Sequence, residues 1–262
     1  MLRNTSESAP ADGEFIGRDL GKTFAEALPS PDWPSVARGH ALVALFQLGE
    51  WKAWLPQAAA LLDAAELVRV ERRRRQKDRD SLTLAYALHR LFLGTVLEME
   101  AAVVPLGRDE SGCPRLAGLS ASTSLSHADD YVALAVCLHG PVGVDIEPRS
   151  RLAVMPEIAA RVCHPDESAR LRNFEGIAYG EALLALWVRK EALLKAAGVG
   201  LAREMTDFPA PEGESLPLDG NVGASTRLHM LEGGGAAVAA LAAPHGIPIH
   251  SAWVRLNPMA SR

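Results

Sequence analysis

In Val142-Gly143-Val144-Asp145-Ile146-Glu147-Pro148, apolar and non-apolar residues alternate. That is the period of a strand, so Asp145 and Glu147 project from one face while the other face is buried. Two neighbouring carboxylates repel each other, and a hard divalent cation that takes oxygen ligands holds both ionised. A solvated acidic edge is the alternative that a D-x-E triplet alone leaves open. Farther along, Ala178 to Ala197 has helical character, and at 100° per residue Leu184, Trp187, Val188, Glu191, Leu194 and Lys195 share a face. A glutamate inside an apolar stripe needs compensation. Lys195, four residues on, stands in the favourable order for an internal pair with Glu191. In the second reading Glu191 joins Asp145 and Glu147 around the cation, and Lys195 faces a phosphate oxygen. Ser124-Leu125-Ser126-His127 places hydroxyls and an imidazole before an apolar strand without any G-x-S-x-G, so a phosphate contact by Ser126 and His127 is more economical than a hydrolase triad. A satisfied structural histidine is the alternative there. Glu71-Arg72-Arg73-Arg74-Arg75-Gln76-Lys77 is a basic cluster, and Arg69, Arg72 and Arg73 share a helical face. It is either a solvated face or a dock for an anionic small molecule, since guanidinium groups bind phosphate bidentately.

These residues need elements to position them. Ala41 to Leu48, bounded by Gly39 and Gly49, suits a buried strand, and Ala58 to about Glu100 reads as helix closed by Pro105 and Gly107. Thr123 to Leu138 has strand character around a turn at Asp129-Asp130. A second round follows Gly140-Pro141: a strand from Val142 to Glu147, helices from about Met155 to Asn173 and from Ala178 to Ala197 with Gly198 as C-terminal cap, then strands near Arg227 to Leu231, Ala236 to Leu241 and Ile249 to Leu256. Gly233-Gly234-Gly235 fits the hairpin turn between the first two of those strands. The expected class is α+β, and the two rounds permit two similar halves in one chain. The boundaries are 1–37 as a tail or loosely packed lead-in, 38–139 as the first half and 140–262 as the second. Gly17-Arg18-Asp19-Leu20-Gly21-Lys22-Thr23 imitates a phosphate loop but has one residue too few between its glycines and no strand before it.

Composition narrows the function classes. At roughly 150 residues per domain, 262 residues make one or two domains with a core that needs no staples. A net charge of -5 lacks the basic footprint of a nucleic-acid binder. Cys113, Cys137 and Cys163 form no C-x-x-C pair, which fits a reducing cytoplasm and excludes a zinc ribbon. The apolar runs are too short for a signal peptide or a membrane span, so neither secretion nor insertion is expected.

The ordered set Leu88-His89-Arg90, Gly112-Cys113-Pro114, Ser124-Leu125-Ser126-His127, Gly143-Val144-Asp145-Ile146-Glu147, and Trp187-Val188-Arg189-Lys190-Glu191-Ala192 with Lys195 and Gly198-Val199-Gly200-Leu201 resembles the 4′-phosphopantetheinyl transferases. The likeness is to the longer, monomeric, surfactin-synthetase-activating type with the W-x-x-K-E-A wording. It runs from about residue 60 to about residue 208.

The resemblance implies that a carrier-protein serine attacks the β-phosphorus of coenzyme A, taking the phosphopantetheine arm and releasing 3′,5′-adenosine bisphosphate. It implies Mg²⁺ on Asp145, Glu147 and Glu191, with Glu191 also as base for the serine. It further implies phosphate neutralisation by Lys195 with help from Lys190, and coenzyme contacts from Ser126 and His127. The implied partner is an apo acyl or peptidyl carrier, and the implied seat of coenzyme A is a ligand cleft between the two similar halves. A coenzyme A-binding regulator without catalysis and a Mg²⁺-dependent phosphohydrolase are the competing readings. The chain departs from the family in two places. Cys113 stands where the family usually has lysine, and in an extended loop Arg115, two residues on, points the same way and can replace that cation. At the basic helix Glu66 and Leu82 occupy coenzyme-contacting positions, which leaves Arg69 as the candidate there.

Overall fold

The structure, a computed structural model, describes residues 19–30, 32–199, 203–218, 225–232 and 234–256. Helices α1 (Leu20–Ala27) and α2 (Trp33–Ala37) lead into β1 (Ala41–Gln47), followed by α3 (Leu55–Leu61), α4 (Ala64–Glu71) and α5 (Gln76–Val96). A small hairpin of β2 (Leu106–Arg108) and β3 (Pro114–Leu116) precedes β4 (Ser122–Ala128) and β5 (Tyr131–Cys137). Then come β6 (Gly143–Pro148), α6 (Met155–Val162), α7 (Pro165–Leu171), α8 (Gly176–Ala197), β7 (Ser215–Pro217), β8 (Ser225–Leu231), β9 (Ala237–Pro244) and β10 (Ile249–Trp253). The fold is α+β. Two four-stranded sheets, ordered β10-β1-β5-β4 and β6-β9-β8-β7, carry it.

The strands read as unbroken apolar runs because both of their faces are covered. On β1, Leu42, Ala44 and Phe46 meet the helical layer built on α5, while Ala41, Val43 and Leu45 meet the second sheet. On β9, Val238, Ala240 and Ala242 lie under α8, while Ala239 and Leu241 face the first sheet. The interface between the sheets is rich in alanine, which lets the two backbones approach closely. No helix of the described residues is long and apolar enough to cross a membrane.

Four expectations change. Of the expected lead-in 1–37, residues 1–18 and 31 lie outside the described residues, and the rest is not loosely packed: Leu20 and Phe24, one turn apart on α1, and Trp33 on α2 are buried in the first core. The single helix expected over 58–100 is three. The break at Leu62-Asp63 has a local cause, because Asp63 caps α4, taking the Glu66 N–H at 2.8 Å while the Glu66 side chain takes the Asp63 N–H at 3.0 Å. The helix expected over 155–173 is likewise two, with a reciprocal cap of His164 and Glu167 starting α7. Finally, β10 does not join the sheet of the second half; it pairs parallel with β1, Ala41 against Ile249 through Leu45 against Trp253. Of the glycine triplet, Gly233 lies outside the described residues, and Gly234 and Gly235 turn between β8 and β9 at φ 64° and 83°. Gly17 and Arg18 also lie outside; Gly21, Lys22 and Thr23 are ordinary residues of α1.

Arg90, buried on α5, joins these elements. Its Nε meets Glu66 and its Nη2 meets Asp63, both at 2.6 Å, and its Nη1 reaches the Val104 carbonyl at 3.3 Å. The fork shape is what the site uses, so Arg90→Lys keeps the charge but leaves part of the buried Glu66 unmatched. We expect it to cost about 2 kcal/mol, read from the urea midpoint; an unchanged midpoint refutes the role.

His89, its neighbour, is sealed in. The Thr123 hydroxyl donates to the Ala135 carbonyl at 2.8 Å, so its oxygen accepts from His89 Nε2–H at 2.7 Å. Burial first, then the charges of Arg108 and Arg90, push the imidazole down to about 3. A histidine depressed in the fold stabilises fully above its unfolded value near 6.5 and loses that contribution as pH falls toward 3. Wild type is therefore expected to lose roughly 2 kcal/mol more than His89→Gln between pH 7 and pH 5. Parallel urea-stability profiles for the two proteins refute this.

Candidate active site

The acidic strand is buried along its whole length because it sits between two layers. Val144 and Ile146 of β6 point into the core between the sheets. Gly143 lies on the opposite face, directly under α8, where a Cβ would stand 2.0 Å from the Ala192 carbonyl oxygen. Period two puts Asp145 and Glu147 on this same α8 side, and they are 4% and 7% exposed. Both carboxylates are thus covered, and the alternative of a solvated acidic edge falls.

Each carboxylate is held by one oxygen. Asp145 Oδ1 accepts from Lys195 Nζ and from the Ser126 hydroxyl, both at 2.6 Å, and Glu147 Oε1 accepts from Arg151 at 2.9 Å. Asp145 Oδ2 and Glu147 Oε2 are buried with no hydrogen-bond partner. Burial, and then the charge of Asp145, push Glu147 up to about 7, against the pull of Arg151, Lys195 and Trp187. Glu191, on α8, is raised by burial first and Asp145 second, with Lys195 opposing. All three carboxylates therefore lie in one electrostatic neighbourhood that is short of positive charge. Two bare, buried carboxylate oxygens are the donor type a hard cation takes, so Asp145 and Glu147 fit a divalent ion. The expected three-carboxylate set is not preassembled, however: among the described residues no three His, Cys, Asp or Glu side chains stand together as a metal cage.

Lys195 does not form the simple internal pair with Glu191; its ammonium takes Asp145 Oδ1 and the Val144 carbonyl, the latter at 3.1 Å. Lys190 corrects another expectation. It is fully buried, and its ammonium donates to the Met205 and Phe208 carbonyls at 2.6 and 2.7 Å and pairs with Glu167 at 2.7 Å. All three ammonium hydrogens are used, so none remains for a phosphate. The narrow apolar stripe expected on this helix is too narrow as well. Leu183, Leu186 and Leu193 are buried too, because α8 is clasped between the second sheet and α6.

His127 is held below the usual imidazole range by burial first, then by Arg73, Lys195 and Arg108, with Asp78 opposing. It is a neutral imidazole ringed by cations. Arg73 does not share a helical face with Arg69, because α4 ends at Glu71 and Arg73 lies in the link to α5, where its carbonyl accepts from Arg79 at 2.8 Å. Arg69 makes no hydrogen bond or ion pair among the described residues, and no described interaction connects it with His127. Glu66 and Leu82 are buried in the core, which explains why neither is basic.

Arg115, the expected compensating cation, stands on β3 beside the end of α8. Its guanidinium rests against Gly198, whose Cβ would be 2.6 Å from Nη2, and pairs with Asp109 at 2.7 Å while staying half-exposed. Gly198 caps α8 at φ 69°, so Arg115 stands at the negative end of the helix that carries Lys195. Gly200 and Leu201 of the same motif lie outside the described residues.

Sequence reasoning missed Arg108 and the role of Ser122. Arg108 sits 5.0 Å over the Tyr86 ring and donates to the Gly112 carbonyl at 2.8 Å, which ties the Cys113 loop to α5. Its signal was the short Leu106–Arg108 strand facing Pro114–Leu116. Ser122, Ser124 and Ser126 recur with period two on β4, and that spacing was the available signal for a shared function on one strand face.

The chain is similar to known proteins over much of the region that carries these residues. Residues 141–229 match the family model of the 4′-phosphopantetheinyl transferase superfamily. A relative from Synechocystis sp. is 28% identical over 152 residues, which is 56% of this chain and 61% of the relative. The 4′-phosphopantetheinyl transferase HetI of Nostoc sp. is 28% identical over 160 residues, 60% of this chain and 68% of HetI. The 4′-phosphopantetheinyl transferase gsp of Aneurinibacillus migulanus is 29% identical over 132 residues, 50% of this chain and 54% of gsp. The chain thus matches a little over half to two thirds of the length of these relatives.

Proposed function

We propose that the chain is a member of the 4′-phosphopantetheinyl transferase superfamily, whose family model and relatives it resembles, and that it moves the phosphopantetheine arm of coenzyme A onto a serine of an apo acyl or peptidyl carrier protein, acting as a Mg²⁺-dependent cytoplasmic monomer. The observation that carries this reading is the pair of bare, buried oxygens, Asp145 Oδ2 and Glu147 Oε2, on carboxylates whose other oxygens are held by the Lys195 ammonium and the Arg151 guanidinium.

Asp145 and Glu147 would hold Mg²⁺, which when bound neutralises charge on the pyrophosphate. The remaining work falls to the chain's own groups, as phosphoryl transfer is chiefly positioning and charge stabilisation. Glu191, whose raised pKa makes it a better proton acceptor than an ordinary glutamate, takes the proton from the carrier serine. The serine oxygen bonds to the β-phosphorus of coenzyme A, the bond from that phosphorus to the bridging oxygen breaks, and 3′,5′-adenosine bisphosphate leaves. Lys195 has one ammonium hydrogen left for a phosphate oxygen. Neutral His127 donates a hydrogen bond, and Arg73, Arg108 and Arg115 surround the approach with positive charge.

Incubation of purified apo carriers with coenzyme A and Mg²⁺ tests this. The expected result is a mass gain of one phosphopantetheine arm on at least one carrier, lost in Asp145→Ala. Phosphate release without a carrier would instead make the chain a phosphohydrolase, and tight coenzyme binding without any turnover would make it a regulatory binder.

A further inference from the structure

The facing edges of the two sheets, β4 and β6, are joined by side chains. The Val142 N–H donates to Ser122 Oγ at 3.2 Å and the Val144 N–H to Ser124 Oγ at 3.1 Å. Both contacts keep the same sequence offset, so the next serine would meet the backbone of Ile146. Ser126 breaks the series: its hydroxyl turns to the side chain of Asp145, 2.6 Å from Oδ1.

We infer that Ser126 is the positioning residue of the cation-binding carboxylate Asp145 and not a contact to coenzyme phosphate. The hydroxyl has one proton. A carboxylate only accepts, so that proton lies on Oδ1. A phosphate oxygen also only accepts and would have to compete for it, while Ser126 is itself 6% exposed. With Lys195 on the same oxygen, Ser126 fixes the rotation of the carboxylate and leaves Oδ2, alone and buried, turned to the cation. Groups that orient a metal-binding carboxylate in this way typically control metal affinity 10–100-fold. The inference rests on the transfer reading only in taking the bare oxygens as a cation site.

Equilibrium Mn²⁺ binding to the full chain, followed by electron paramagnetic resonance without coenzyme, tests it. Ser126→Ala is expected to weaken Mn²⁺ about tenfold and to leave coenzyme A binding in the absence of metal at the wild-type value. Ser126→Thr, which keeps the hydroxyl, restores Mn²⁺ affinity. Ser124→Ala, which alters the seam but not Asp145, binds Mn²⁺ as wild type does. Should Ser126→Ala fail to fold, Ser126→Cys keeps the shape with a weak donor and is expected to show the same loss. Unchanged Mn²⁺ affinity overturns the inference, and a selective loss of coenzyme A binding assigns Ser126 to the phosphate. Carrier modification is scored separately. If no carrier is modified but the Mn²⁺ shift holds, the transfer reading falls and the positioning role stands, whereas wild type that binds no Mn²⁺ overturns the positioning role whatever the carrier assay gives.

Discussion

Gly143→Ala is expected to destabilise the protein by at least about 3 kcal/mol and to abolish transfer in whatever fraction still folds. The added Cβ would stand 2.0 Å from the Ala192 carbonyl oxygen and 2.4 Å from the Ala196 N. Both atoms are helix backbone, which cannot turn aside as a side chain can, so relief requires α8 to move off β6. Ala192 and Ala196 directly follow Glu191 and Lys195 in sequence, so the movement separates those two side chains from Asp145 and Glu147. Added Mg²⁺ should not rescue the loss. A variant with the wild-type urea midpoint and wild-type turnover would show that α8 does not lie against Gly143.

Glu191→Gln tests the chemistry without disturbing the packing. The amide keeps the shape of the acid but cannot take a proton, so kcat is expected to fall 10²–10⁴-fold, about the range for a lost general base. The raised pKa of Glu191 arises from burial and from Asp145. Removing the charge should therefore not destabilise the fold, and the urea midpoint should hold or rise. Near-normal turnover by the folded variant removes Glu191 from proton transfer.

The parts of this molecule that were legible in the sequence are those whose signals are local. Strand β6 and helix α8 follow from a period-two and a helical apolar pattern, and Gly198 marks the stop. Asp63-x-x-Glu66 and His164-x-x-Glu167 were local signals as well, yet the long helical periods around them hid the breaks. Lys190 was misplaced for a different reason. It adjoins Glu191 in sequence, but one residue on a helix is 100° of rotation, and its partners, Glu167 and the Met205 and Phe208 carbonyls, are set by tertiary packing. The same holds for Ser126 and Asp145, whose bond exists only where two sheet edges meet. Arg69, Arg72 and Arg73 looked like one helical face because nothing in their own residues announces that α4 stops at Glu71.

The pairing of β10 with β1 bears on how the chain matures during synthesis. A ribosome makes β1 more than two hundred residues before its parallel neighbour, so one edge of the first sheet stays open until β10 is made, with β5 beside β1 on the other. Only after Trp253 has emerged can that edge close. The first sheet therefore waits on β10, and a nascent chain stalled before it would carry an uncapped β1 edge available to other strands.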